Sequence, residues 1–135
     1  LFNKVFHPDI DLEALEVVPR LHLETPANLS MRLLWVAAMW GRVDADLAVS
    51  GGVRSAEDVL RSVMAGADVC QMTSVLLEQG PEVVAEIRKG VELWMEAHEY
   101  ESIDVMRGSM SLLRCPDPEA FVRGNYMKTL HSWRP

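Results

Sequence analysis

The sequence predicts an α/β fold of about three strand–helix units followed by a C-terminal tail. Short apolar runs alternate with segments in which apolar residues recur at helical spacing, and glycine or proline separates most of them. Such alternation is typical of parallel strands joined by helices. With 135 residues, 49% hydrophobic and 24% charged, the chain is long enough for one domain with a sizeable core.

The first unit is predicted from residues 1–6, a short apolar and aromatic run that reads as a strand. Residues 9–27 are mixed and punctuated by prolines, so no helix is predicted there, although residues 20–24 are compatible with a short extended piece. A helix is predicted from Ser30 to Gly41, which ends it. Its apolar positions are Leu33, Val36, Ala37 and Trp40.

The second unit begins with residues 45–49, a mostly apolar run that predicts a buried parallel strand. It ends at Ser50-Gly51-Gly52, a glycine turn. Ser55 and Asp58 then resemble a capping box, in which Ser55 caps a helix and Asp58 reaches back to it. The apolar stripe of this helix is Val59, Leu60, Val63 and Met64, and Gly66 ends it.

The third unit begins with a buried strand at residues 67–72, followed at residues 73–79 by a stretch compatible with a short helix. Pro81 is predicted as the first residue of the next helix. Its apolar side carries Val83, Val84, Ile87, Val91, Trp94 and Met95. The tail starts at Tyr100 and includes Asp117-Pro118, which predicts one last helical piece.

Three parallel strands neither close a barrel nor give a sheet that is covered on both faces, as parallel sheets normally are. We therefore expect the rest of the fold to precede Leu1, which makes this chain the C-terminal part of a larger domain. The absence of an initial Met agrees with that expectation.

Charge and composition argue against several classes of function. The net charge is −7 and the 13 Lys and Arg residues are scattered, whereas duplex nucleic acid is bound by clustered cations. No apolar run approaches the ~20 residues needed to span a bilayer. The four histidines and two cysteines show no metal-ligand spacing. Cys70 and Cys115, without a secretion signal, favour a reducing cytoplasm.

The candidate site lies at the ends of two successive predicted strands. Ser50-Gly51-Gly52 follows the first, and Thr73-Ser74 follows the second. Glycines let the backbone approach a ligand closely and direct N–H groups at it, and the start of a short helix offers further free N–H groups. In (β/α)8 barrels a phosphate often binds between the last two strand ends and a short extra helix. The spacing therefore predicts a phosphate site at the C-terminal end of such a barrel.

A simpler interpretation remains open, because a lone Gly-Gly pair is more often a turn than a ligand site. Ser50 and Thr73 would then satisfy only local backbone groups. The pattern also does not distinguish a flavin phosphate from a sugar phosphate.

Longer motifs identify a family resemblance. The run "DLAVSGGVRSAEDVLRSVMAGADVCQMTSVLLEQGP" and the later "SIDVMRGSMS" resemble the end of a dihydroorotate dehydrogenase barrel. The opening "LFNKVFHPDID" and the ending "NYMKTLHSW" are similar to bacterial homologues of that family. The resemblance covers about residues 1–111, so we predict a C-terminal barrel portion at residues 1–111 and an extension at residues 112–135.

The resemblance implies an FMN-dependent oxidoreductase that acts on a CH–CH bond, converting dihydroorotate to orotate in pyrimidine biosynthesis. By motif position, Ser50, Gly51 and Gly52 would contact the flavin phosphate, and Thr73 and Ser74 would complete that site. Asn3 matches a position where the family places an asparagine near flavin and substrate. Its amide can donate and accept, which suits a planar diketo ring.

Two observations limit how much of the family's active site is assigned to this chain. Much of the family has Gly-Thr where this chain has Thr73-Ser74. The side chain of Thr73 keeps the backbone farther from a ligand than glycine would. The family's catalytic base and flavin-contacting lysines would lie upstream of Leu1, so no catalytic residue is assigned here and the 135 residues alone are expected to be inactive. Neither Cys70 nor Cys115 is assigned as the base.

Two other classes of function remain open. One is a non-redox phosphate-binding barrel enzyme, and the other is a non-catalytic homologue. Within the leading class, the substrate is expected to be a small molecule such as dihydroorotate. The electron acceptor, an iron–sulfur partner subunit, and the choice between monomer and homodimer are left open.

Overall fold

The computed structural model of the chain describes residues 8–19, 23 and 25–119. The predicted strand at residues 1–6 and the C-terminal part of the tail, from residue 120, lie outside these ranges. The first described element is an antiparallel hairpin of β1 (Pro8–Asp11) and β2 (Glu16–Pro19), with Ile10 opposite Val17. The sequence pattern did not predict this hairpin, and most of the short extended piece expected at residues 20–24 lies outside the described residues.

A 3-10 turn at Pro26–Asn28 leads into helix α1 (Leu29–Met39). This confirms the helix predicted from residue 30 onward. Val36 and Ala37 are buried as the periodicity predicts, and Leu29 joins them in the core.

A strand–helix–strand unit follows, made of β3 (Ala48–Ser50), α2 (Ala56–Ala65) and β4 (Val69–Gln71). The two strands pair in parallel and are neighbours in the sheet, which confirms the α/β prediction, although both strands are shorter than predicted. Gly66 ends α2 with a φ of 123°, a value at which glycine is favoured.

The remaining helices are α3 (Ser74–Gln79), α4 (Val83–Ala97) and α5 (Ile103–Met106). The expectation for Pro81 is corrected, because it lies in the turn before α4 rather than in its first position. Of the predicted apolar side of α4, Val83, Ile87 and Val91 are buried but Val84 is exposed. The short helix α5 was not predicted.

The core lies on one side of the β3–β4 sheet. Val49 is 1% exposed and packs with apolar residues of α1 and α2. Residues on the other side of the sheet are exposed, among them Ala48, Gln71 and Val69, which is 51% exposed. The described residues thus form a mixed α/β unit with one open sheet face, and a closed barrel remains a prediction. Among them, no helix is long and apolar enough to cross a membrane.

Candidate functional site

The two strand ends of the candidate site lie side by side. Ser50, the last residue of β3, is the parallel partner of Gln71, the last residue of β4. Neighbouring strands are separated by about 4.8 Å, so the segments that leave them start close together. Gly51 and Gly52 continue from β3 with φ values of 87° and 84°. Left-handed conformations of this kind turn successive backbone N–H groups out of the strand.

Gly51 and Gly52 are glycines for different structural reasons. Gly52 is buried, and a Cβ built on it would lie 2.8 Å from the backbone nitrogen of Leu29 and 3.0 Å from the Leu29 Cβ. Contact with the first residue of α1 therefore accounts for glycine at this position without any ligand. Gly51 is the better indicator of a ligand site, because it takes a left-handed conformation and is only partly buried.

The second strand end is an exposed residue followed by a short helix. Thr73 has helical backbone angles, its side chain makes no cap hydrogen bond, and its carbonyl accepts from the Leu77 N–H at 3.0 Å. Ser74 begins α3 and is half-buried. Val75 is fully buried against Val83 and Ile87 of α4, so α3 is held in place by its neighbour.

A buried carboxylate shapes the loop that follows β3. Asp58 Oδ2 accepts the backbone N–H of Arg54 at 3.1 Å, and Asp58 Oδ1 lies 3.2 Å from Arg61 Nη1. Ser55 Oγ accepts the Asp58 N–H at 3.3 Å, which confirms Ser55 as the helix cap. The capping-box expectation is corrected in one detail, because Asp58 reaches back to Arg54 rather than to Ser55.

An ion pair connects the two strand-end segments. Arg54 Nη1 donates to Glu78 Oε1 at 3.2 Å, and Arg54 Nη2 contacts Glu78 Oε2. These hydrogen bonds raise the pKa of Arg54 and lower the pKa of Glu78. The sequence pattern does not predict this pair, because its two members are 24 residues apart.

A cavity of about 460 Å³ lies between α1 and β3. Trp35 and Met39 line it on the helix side, and Leu47 and Ser50 line it on the strand side. Its lining includes Ser50 but not Thr73 or Ser74, so this cavity borders only one of the two strand ends.

The remaining chemical candidates are the Cys70 thiol, groups of metal-ligating side chains, and Asn3. Burial raises the pKa of the half-buried Cys70 thiol, which keeps it protonated and a poor nucleophile. Across residues 8–19, 23 and 25–119, no three His, Cys, Asp or Glu side chains are grouped to hold a metal ion. Asn3 lies outside the described residues, so its predicted contact with the substrate stays a prediction.

Fold and site together define a parallel α/β protein with polar and glycine-rich segments at two adjacent strand ends. The family model for dihydroorotate dehydrogenase matches residues 28–95, about half of the 135 residues, and this match spans both strand ends. The chain belongs to the dihydroorotate dehydrogenase family, a family of oxidoreductases.

Three relatives illustrate the similarity. The catalytic subunit of dihydroorotate dehydrogenase B (NAD(+)) from Methanothermobacter thermautotrophicus is 32% identical over 62% of this chain and 27% of its own length. Dihydroorotate dehydrogenase (fumarate) from Saccharomyces mikatae is 32% identical over 58% of this chain and 26% of its own length. Dihydroorotate dehydrogenase (quinone) from Rhizobium etli is 36% identical over 55% of this chain and 21% of its own length. The chain thus spans about a quarter of the length of these relatives.

Proposed function

We propose that this chain is the C-terminal, flavin-phosphate-binding part of an FMN-dependent oxidoreductase of the dihydroorotate dehydrogenase type. The observation that carries the proposal is the register of β3 and β4, which sets Ser50 beside Gln71 and so starts both candidate segments at one edge of the sheet. Ligands of parallel α/β proteins bind at the carboxyl ends of their strands.

The proposal includes the barrel and its boundaries. Residues 1–111 would form the C-terminal part of a (β/α)8 barrel, and residues 112–135 an extension of it. The open face of the β3–β4 sheet supports this, because in a closed barrel that face would pack against side chains from strands on the opposite side of the barrel. Leu112 N–H donates to the Ala37 carbonyl at 2.9 Å, so the extension begins in contact with α1.

The residues at the strand ends fit a phosphate group. In the proposed complex, backbone N–H groups of Gly51 and Gly52 bind phosphate oxygens, and the hydroxyls of Ser50, Thr73 and Ser74 add donors. The left-handed conformation of both glycines fits this role. The Cβ of Thr73 limits how closely the second segment approaches, so we expect its hydroxyl rather than its backbone to make the contact there.

FMN, when bound, supplies the redox chemistry by accepting hydride from a dihydroorotate-like substrate. The chain's own contribution is to orient the flavin through its phosphate and, at Asn3, to hold the substrate. No residue of this chain is proposed as the catalytic base, so the 135 residues alone are expected not to turn over dihydroorotate. We place the protein in the cytoplasm, because Cys70 and Cys115 are free thiols.

The test is a comparison of FMN with riboflavin, which lacks the phosphate. Flavin fluorescence titration should show tighter binding of FMN. Gly51→Ala should remove most of that preference, because a Cβ at a φ of 87° is strained and displaces the loop. Gly41→Ala is the matched control, since Gly41 has a φ of 71° but lies away from the strand ends. Equal binding of FMN and riboflavin by the unaltered chain would contradict the flavin-phosphate site.

The same titration separates the other two classes of function. A non-redox phosphate enzyme would bind a sugar phosphate in preference to FMN. A non-catalytic homologue would bind neither, a result with which Thr73, at a position where the family has glycine, would agree.

A further inference from the structure

The Arg54–Glu78 ion pair joins two segments that are each anchored independently. On one side, the buried Asp58 carboxylate holds the Arg54 backbone N–H. On the other, the fully buried Val75 fixes α3, the helix that carries Glu78. The pair therefore links the segment after β3 to the segment after β4, and an intact pair restricts how far the two segments move relative to each other.

The geometry of the pair suits such a role. Both terminal nitrogens of the Arg54 guanidinium contact the two oxygens of the Glu78 carboxylate. A bidentate pair fixes orientation as well as distance, which a lysine ammonium does not do. The side chains are 20% and 38% exposed, so solvent weakens the attraction without removing it.

We propose that Arg54 and Glu78 are positioning residues that hold the two strand-end segments at a fixed separation and thereby set the strength of phosphate binding. This inference rests on the proposed function, but it concerns residues that touch each other rather than the flavin. Arg54 and Glu78 are not proposed as ligands of the phosphate.

The experiment measures two properties of the same variants. Glu78→Gln and Arg54→Lys should each weaken FMN binding about two- to fivefold, the range expected for a partly exposed ion pair. Riboflavin binding should not change, because it does not use the phosphate site. The exchanged double variant Arg54→Glu/Glu78→Arg should recover FMN affinity to within about twofold, since it restores an ion pair across the same gap.

Hydrogen exchange without flavin provides the second readout. The Leu77 and Gly80 N–H groups are bonded within α3 and its C-terminal cap at 3.0 Å each. Their exchange should become faster in Glu78→Gln and return toward the original rate in the exchanged double variant. Glu92→Gln is the matched control, because it breaks the exposed Arg88–Glu92 pair of α4, away from both strand ends.

Each outcome bears on one claim. Unchanged exchange in α3 of Glu78→Gln would overturn the positioning role, and so would faster exchange with unchanged FMN affinity. Tighter FMN binding by Glu78→Gln would show that Glu78 competes with the phosphate for Arg54, which also overturns it. If the unaltered chain does not bind FMN, the proposed function fails, whereas the exchange rates still decide whether the pair holds the segments together.

Discussion

The β3–α2–β4 unit and the β1–β2 hairpin place their apolar residues in opposite environments. Val49 in the unit is 1% exposed and Ala67 is fully buried, whereas Ile10 and Val17 in the hairpin are 64% and 67% exposed. Both regions contain a pair of short strands of three or four residues each. The difference shows that burial in the unit comes from helices that pack on one face of its sheet, whereas Ile10 and Val17 of the hairpin remain exposed.

The hairpin is instead defined by its turn. Asp11 Oδ1 accepts the N–H groups of Glu13 and Ala14, both at 3.0 Å, and Leu15 takes a left-handed φ of 53°. A two-stranded hairpin is at best marginally stable alone. We therefore expect substitutions in the hairpin to change local opening, and substitutions in the unit to change global stability.

Two valines, one from each region, test this expectation, and the largest effect is expected at the buried one. Val49→Ala should lower the free energy of unfolding by about 2–3 kcal/mol, because it removes buried methyl groups and leaves a cavity. Val17→Ala should change it by less than about 0.5 kcal/mol. Urea unfolding followed by far-UV circular dichroism measures both. Similar losses for the two variants would show that the hairpin is buried in solution, and the comparison would fail.

The contrast between buried and exposed apolar residues also explains which elements the sequence predicted. Helices α1, α2 and α4 were predicted because buried apolar residues recur at helical spacing, and Gly66 ends α2 as predicted. The hairpin was missed because its turn contains no glycine or asparagine, the usual signals for a left-handed residue, and Leu15 occupies that position instead. Helix α5 was missed because four residues show no periodicity, although Ser102 caps it.

Some features of the candidate site were likewise predictable from the sequence, and others were not. Its two strand ends were predicted, since glycine and hydroxyl residues follow apolar runs in the sequence itself. The Arg54–Glu78 pair could not be predicted, because a contact between partly exposed side chains 24 residues apart leaves no local pattern in the sequence. The reason for Gly52 was also hidden, since Leu29 lies 23 positions earlier and contacts it only in the fold.

A smaller effect is expected at the strained position of the hairpin. Leu15→Asn should slow amide exchange across residues 8–19 about two- to fivefold, because asparagine tolerates the left-handed region at lower cost than leucine. Leu15 is 84% exposed, so its replacement loses little burial. Leu12→Asn is the control, as Leu12 is also exposed but has no positive φ. Equal slowing in both variants would mean that removing an exposed leucine, rather than relieving strain, is responsible.

The smallest effect concerns pH and the ion pair at the edge of the unit. The hydrogen bond from Arg54 lowers the pKa of Glu78 in the folded state. A lowered folded-state pKa stabilises the fold above the unfolded-state pKa of glutamate, about 4.3, and this stabilisation is lost as the pH falls through the folded-state pKa. The difference in α3 amide protection between the unaltered chain and Glu78→Gln should therefore be constant from about pH 6 to 8 and should vanish in acid.

Because intrinsic exchange rates also depend on pH, protection factors of the two proteins are compared at each pH. Residues 8–19 serve as the internal reference, since the hairpin carries neither member of the pair. A difference that persists unchanged below the folded-state pKa would show that the negative charge of Glu78 is not what protects α3. The ion pair would then contribute nothing to holding α3, and the unit would owe its order to burial alone.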